Sequence, residues 1–121
     1  MNDKNISQIE FWNSDHGFAW AKYADTVDIM FSAITDAMLD AAQIGVGDRV
    51  LDLGCGNGGS TLAVSERVTP IGTVTAIDVS GPMIDRAQER ADAAGLVNVT
   101  FVLGDAAIHP FSNGSFDKMI S

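Results

Sequence analysis

The segment VLDLGCGNGGS, residues 50–60, constrains this chain more than any other part of it. Val50, Leu51 and Leu53 form a short apolar run that suits a strand buried on both faces, and it passes directly into a cluster of glycines. Gly54, Gly56 and Gly58 remove Cβ atoms where the backbone must turn sharply, and they let a ligand touch the main chain. From Gly59 to Val68 the sequence reads as a helix through Leu62, Ala63 and Val68, whose first N–H groups are free to meet a ligand. Strand, glycine turn and helix N-terminus together make a site for a nucleotide-like molecule. A purely structural glycine turn is the alternative.

The flanking sequence alternates in the same way. Pro70 and Gly72 break the chain before a second strand, Thr73 to Val79. Ser80 is placed to cap a helix with Pro82 in its first turn; Met83, Ala87, Ala91 and Ala94 follow on one face, and Gly95 stops it. NVTFVLGD supplies a third strand. After a loop from Ala106 to Ser115, FDKMIS reads as a fourth. Upstream, Val27, Met30, Phe31, Ile34, Met38, Ala41 and Ala42 recur at steps of three and four, which predicts an amphipathic helix from Asp25 to about Ile44, capped by Asp25 and ended by Gly45. The first 24 residues group Phe11, Trp12, Phe18, Trp20 and Tyr23 around His16 and Gly17, and one or two short helical turns are expected there. Strands separated by helices require crossover connections, so the chain is an α/β domain with a Rossmann-like parallel sheet.

Composition narrows the function. At 121 residues and 46% hydrophobic, the chain is long enough for one core and too short for two. Seven Lys plus Arg against 16 Asp plus Glu give a net charge of −9, which repels a phosphate backbone, so no nucleic-acid partner is expected of these residues. No apolar run approaches the ~20 residues that cross a bilayer, and MNDKNISQIE lacks a basic region followed by an apolar stretch. No membrane partner is therefore expected. Cys55 is the single cysteine, so an internal disulfide is impossible, and a cytoplasmic protein is expected. No metal site is expected either.

Three aspartates refine the ligand. Asp78 ends the second strand 20 residues after Gly58, the ~20-residue offset at which an acidic side chain reaches ribose hydroxyls; a helix N-terminal charge or a surface turn residue is the plainer reading. Gly54, Gly56 and Gly59 also satisfy the GxGxxG spacing of NAD-binding proteins, so the loop alone leaves the ligand open. Asp52 lies two residues before the first glycine, where a carboxylate suits a cationic amino group better than a pyrophosphate. Asp105, after Gly104 at the end of the third strand, can accept from an exocyclic amine such as that of adenine. Both also read as structural loop carboxylates.

In order and spacing, DLGCGNG from Asp52 to Gly58, AIDVSGPMIDRAQERA with Asp78, FVLGDA with Asp105, and SFDKMIS resemble the successive motifs of class I S-adenosylmethionine-dependent methyltransferases. The resemblance covers Gly45 to Ser121. It implies that Asp52 and the loop residues Gly54, Cys55, Gly56, Asn57 and Gly58 hold the methionyl part of S-adenosylmethionine or its product S-adenosylhomocysteine. It further implies that Asp78 holds the ribose, that Gly104, Asp105 and the Ala106 backbone hold the adenine, and that Val79 and Met83 pack on its ring. Apolar residues at positions 79 and 83 also fit a plain core. Residues 1–44 resemble the lid-like N-terminal segment of small-molecule methyltransferases, leaving 45–121 as the cofactor-binding half.

The family sheet has seven strands in the order 3-2-1-4-5-7-6, so the resemblance implies a fold truncated after its fourth strand, ordered 3-2-1-4 and inactive alone. It also implies that the missing half completes the pocket for a small-molecule methyl acceptor. No catalytic residue is assigned: His16 and His109 lack an orienting partner in sequence, and Cys55, with no His or Lys beside it, suits packing. The fourth strand, left at an edge, predicts a homodimer, through edge pairing or exchange of an element. An NAD-binding oxidoreductase fragment and a noncatalytic interaction module are the alternatives.

Overall fold

The computed structural model describes residues 3–121. Three helices, α1 (Asp3–Trp12), α2 (Asp15–Lys22) and α3 (Ala24–Ala41), precede an alternating series: β1 (Arg49–Leu53), α4 (Gly59–Val68), β2 (Thr73–Asp78), α5 (Gly81–Ala93), β3 (Val99–Leu103) and β4 (Lys118–Ile120). The four strands form one parallel sheet in the order β3-β2-β1-β4. Leu53 lies opposite Ile77 and Asp78 opposite Leu103, so the ends of β1, β2 and β3 finish side by side. Everything the sequence places after a strand (the glycine loop, Asp78, and Gly104 with Asp105) therefore arrives at one edge of the sheet.

The main core packs β1, β2 and β4 against α4 and the end of α3 through Leu39, Ile44, Val50, Val64, Val68, Val74 and Ile120. A smaller cluster of Cys55, Ala76 and Ile84, with Phe101 against it, seats α5 on the other face. Among the described residues no helix is long and apolar enough to cross a membrane.

Several expectations need correction. The N-terminal turns are two full helices. Gly17 makes their junction compact: a Cβ there would stand 1.8 Å from the Trp12 carbonyl oxygen, so only glycine lets α2 cross α1 so closely. Asp25 does not cap α3; the helix starts one residue earlier, Tyr23 stands at the cap without a side-chain bond, and Asp25 instead pairs with Arg86 and Arg90 of α5. Gly45 does not end α3 either, because the helix stops at Ala41 and Gln43 takes the left-handed turn, with φ of 55°.

The apolar face expected for α3 is divided: Met38 and Ala42 pack against the core and Val27 is half-buried, but the middle of the face turns outward. Ile29, Met30, Phe31 and Ile34 are exposed, while the stripe facing the domain is Ala24, Val27, Asp28, Thr35, Met38 and Leu39. Two polar residues on that inner stripe hide it from an apolar-periodicity reading. Ala94 is exposed at the end of α5, Val79 lies just beyond β2, and β4 covers only three residues.

Candidate functional site

A cavity of about 450 Å³ lies at the carboxyl ends of β1, β2 and β3. Gly54 and Gly56 line one side; Ile77, Asp78, Val79 and Met83 come from β2 and the start of α5, Gly104, Asp105 and Ala106 follow β3, and Gln8 and Trp12 of α1 complete the wall. Of the residues expected from sequence, Gly54, Gly56, Asp78, Val79, Met83, Gly104, Asp105 and Ala106 are thus brought together. Cys55 and Asn57 face a second cavity across the loop, whereas Asp52 and Gly58 line neither.

The loop is held by β2. The Gly54 and Cys55 N–H groups both donate to the Ile77 carbonyl, at 2.8 and 3.1 Å. Asp78 then ties the loop to α5: one carboxylate oxygen accepts from the Gly56 N–H at 2.8 Å and the other from the Ser80 N–H at 2.9 Å. Each oxygen keeps a further lone pair for a ligand hydroxyl. Ser80 caps α5 as expected, its hydroxyl accepting from the Met83 N–H while donating to the Trp12 carbonyl. Asp105 accepts from the Ala107 N–H and from the Asn5 side chain, both at 2.9 Å.

Asp52 serves the loop from beneath. It is 2% exposed, and one carboxylate oxygen accepts from the Ser60 and Thr61 hydroxyls at 2.8 and 2.7 Å, fastening β1 to the first turn of α4. Burial pushes its pKa up, the two hydroxyls pull it back in part, and the nearby Asp78 charge adds to the rise. Burial, reinforced by Asp52 and Asp78, also raises the pKa of the Cys55 thiol, so it stays protonated and packs as a small apolar group. His16 stacks on Phe11 and His109 rests against Phe111; neither lines the cavity. Among the described residues no group of three or more acids, histidines or cysteines is arranged for a metal.

Sequence reasoning missed how the N-terminal helices join this site. Asn13 donates to the Val79 carbonyl at 2.7 Å and accepts from the Gly81 N–H at 2.8 Å. The Asn57 side chain donates to the Trp20 carbonyl at 2.8 Å, and the Asn57 carbonyl accepts from Arg90 at 2.8 Å. Asn13 and Arg90 carry no motif; their role depends on partners 66 and 33 positions away.

The cavity discriminates among ligands. Gly54 and Gly56 have φ of 69° and 55°, so both need glycine. A Cβ on Gly54 would meet nothing within 4 Å, and one on Gly56 only the Met83 sulfur at 3.8 Å, so the backbone stands open to a ligand. Among the described residues no Lys or Arg lines the wall, while two carboxylates do. A nucleoside that presents hydroxyls and amines and carries a positive centre fits the acceptor set, as S-adenosylmethionine does.

Residues 50–121 match a family model described as a methyltransferase domain. Nocamycin O-methyltransferase of Saccharothrix syringae is 39% identical over 72% of this chain and 31% of its own length. 27-O-demethylrifamycin SV methyltransferase of Amycolatopsis mediterranei is 32% identical over 93% of this chain and 40% of its own. The crystal structure of coclaurine N-methyltransferase bound to N-methylheliamine and S-adenosylhomocysteine superimposes with a TM-score of 0.66 at 33% identity, over 72% of this chain and 25% of that one. The chain thus spans well under half the length of these relatives. The match over residues 50–121, the relatives and the sheet order agree, and the chain belongs to the class I S-adenosylmethionine-dependent methyltransferases.

Proposed function

We propose that this chain is the cofactor-binding half of a methyltransferase acting on a small molecule in the cytoplasm. The observation that carries the reading is the pair of carboxylates, Asp78 and Asp105, at adjacent strand ends around one cavity beside an open glycine loop. Asp78 holds the ribose hydroxyls with the lone pairs left by Gly56 and Ser80, and Asp105 with the Ala106 backbone takes the adenine edge. Val79 and Met83 cover the ring, and Gln8 and Trp12 close over it from α1. The methionyl end lies along the glycine loop toward Cys55 and Asn57, and the buried charge of Asp52 beneath the loop favours its ammonium.

When bound, S-adenosylmethionine would supply a sulfonium methyl group, whose carbon passes to an acceptor nucleophile while the C–S bonding pair stays on the sulfur of S-adenosylhomocysteine. The protein's own work is to position and to exclude water, so no proton-transfer residue is required of it. Part of that work belongs to the portion of the relatives that this chain does not span, which supports little turnover by these 121 residues alone. The relatives named for nocamycin and demethylrifamycin support a small-molecule acceptor.

Calorimetric titration tests the reading. S-adenosylhomocysteine should bind and NADH should not. Asp78→Ala should weaken S-adenosylhomocysteine by about tenfold or more, since two ribose hydrogen bonds at ~0.5–1.5 kcal/mol each are lost along with the loop's anchor. An unchanged dissociation constant sinks the site assignment.

A further inference from the structure

Helix α1 is fastened beside the first cavity at both of its ends. Near its start, Asn5 donates to one carboxylate oxygen of Asp105 at 2.9 Å. At its end, the Trp12 carbonyl accepts from the Ser80 hydroxyl, and Asn13, one residue on, bridges the Val79 carbonyl and the Gly81 N–H at 2.7 and 2.8 Å. Asn5, Gln8 and Trp12 are spaced by three and four residues, so they share one face of the helix and Gln8 stands between the two anchors. Gln8 lines the cavity, and among the described residues its side-chain amide has no hydrogen-bond partner. The two carboxylates of the wall differ in this respect, since protein donors already fix both Asp78 and Asp105.

The groups that an adenine would leave unsatisfied give that amide a use. Asp105 and the Ala106 backbone present an acceptor beside a donor, a match for the amine N6 and the ring nitrogen N1. The second hydrogen of the amine and the ring nitrogen N7 then remain, a donor and an acceptor side by side on the neighbouring edge. A primary amide meets such a pair with two parallel bonds, its oxygen accepting from N6 and its nitrogen donating to N7. Asn5, one turn before Gln8, touches Asp105, which puts Gln8 on the side of the cavity where the amine would lie rather than on the ribose side at Asp78.

We infer that Gln8 recognises the adenine of the cofactor by a two-bond contact to N6 and N7, which makes α1 a determinant of base specificity as well as part of the wall. The inference rests on the cofactor reading of this cavity, and its test keeps the two apart.

Calorimetric titration of the chain with S-adenosylhomocysteine and with its 7-deaza analogue, in which C–H replaces N7, reads the contact directly. The parent should bind S-adenosylhomocysteine about fivefold more tightly than the analogue, because the Gln8 amide N–H is left facing a C–H. Gln8→Met keeps the length of the side chain and removes both donor and acceptor; it should weaken S-adenosylhomocysteine about tenfold and bring the two ligands to equal affinity. Gln8 is exposed and stands outside both core clusters, so this variant is expected to fold. Equal affinity of the parent for the two ligands overturns the inference without any variant. A preference that survives unchanged in Gln8→Met, with both ligands weakened alike or not at all, overturns it as well, since a merely structural glutamine would act in that way. Failure of the parent to bind either ligand overturns the cofactor reading itself.

Discussion

Asp52 is buried with its charge balanced by two hydroxyls rather than by a cation. Its pKa is raised in the folded state, so its contribution to stability is complete below the ordinary carboxylate value and is lost as pH rises through the folded value. Asp52→Asn keeps an oxygen that accepts from both Ser60 and Thr61 and removes the buried charge. Its melting temperature should therefore exceed the parent's at pH 7, and the gain should shrink toward pH 4. A loss at pH 7, or an equal gain at both values, would show that the charge costs nothing. Asp78 and Asp105 were legible in the sequence because strand ends fix where they stand, whatever their rotamers. The seating of Asp52 was not, since a strand residue two before a glycine can point to either face, and only Ser60 and Thr61 decide which. The Asn57–Arg90–Asp28 linkage was illegible for another reason: it joins three elements by side chains whose meeting depends on packing.

The ends of α3 and α5 differ by one residue type in the same geometry. In α5 the Gly95 N–H bonds to the Asp92 carbonyl and the Leu96 N–H to that of Ala91; in α3 the Gln43 and Ile44 N–H groups bond to Asp40 and Leu39. The left-handed position is Gly95, at φ 71°, in one helix and Gln43, at φ 55°, in the other. The first stop is legible in the sequence and the second is not, because Gly95 marks its left-handed position whereas Gln43 does not and Gly45 stands beyond it. A Cβ on Gly95 would touch nothing within 4 Å, so Gly95→Ala isolates the conformational cost, about 1 kcal/mol of lost stability by urea denaturation. Gln43→Gly should stabilise by about 0.5–1 kcal/mol. Changes of the opposite sign in either variant would contradict this account of the helix ends.

The short β4 depends on charge as well as on its ladder. Asp117 accepts from the Arg49 backbone at 2.9 Å and from its guanidinium, and Lys118 reaches Asp48 at 2.8 Å. These bonds lower both carboxyl pKa values, so their contribution is present above the ordinary carboxylate value and is lost as pH falls through the folded values. The Met119 methyl resonance should move toward its unfolded position on acidification below about pH 4 while Val64 in the core stays native. Simultaneous loss of both would make β4 part of one cooperative unit with the core.

At the scale of the whole molecule, strand order came through the family resemblance, and the share of α1 in the cavity wall was not legible, because Gln8 and Trp12 reach it only through the packing of that helix. The order β3-β2-β1-β4 leaves β4 paired on one side only. Its outer N–H and C=O groups stand beside Met119, which is 61% exposed, and Phe116 is half-buried next to it. Lysine on an edge strand ordinarily keeps other strands away. Lys118 is poorly placed for that, since its ammonium is bound to Asp48 and to the Gln43 carbonyl rather than projecting into solvent. The homodimer expected from sequence is accordingly proposed for these 121 residues, with β4 meeting its copy across a two-fold axis or exchanged between copies. Sedimentation velocity at micromolar concentration should show the dimer, and Met119→Lys should shift it toward monomer by placing two unpaired ammonium groups at the contact. A monomeric parent would overturn the dimer, and a dimer indifferent to the charge at position 119 would place its contact elsewhere on the molecule.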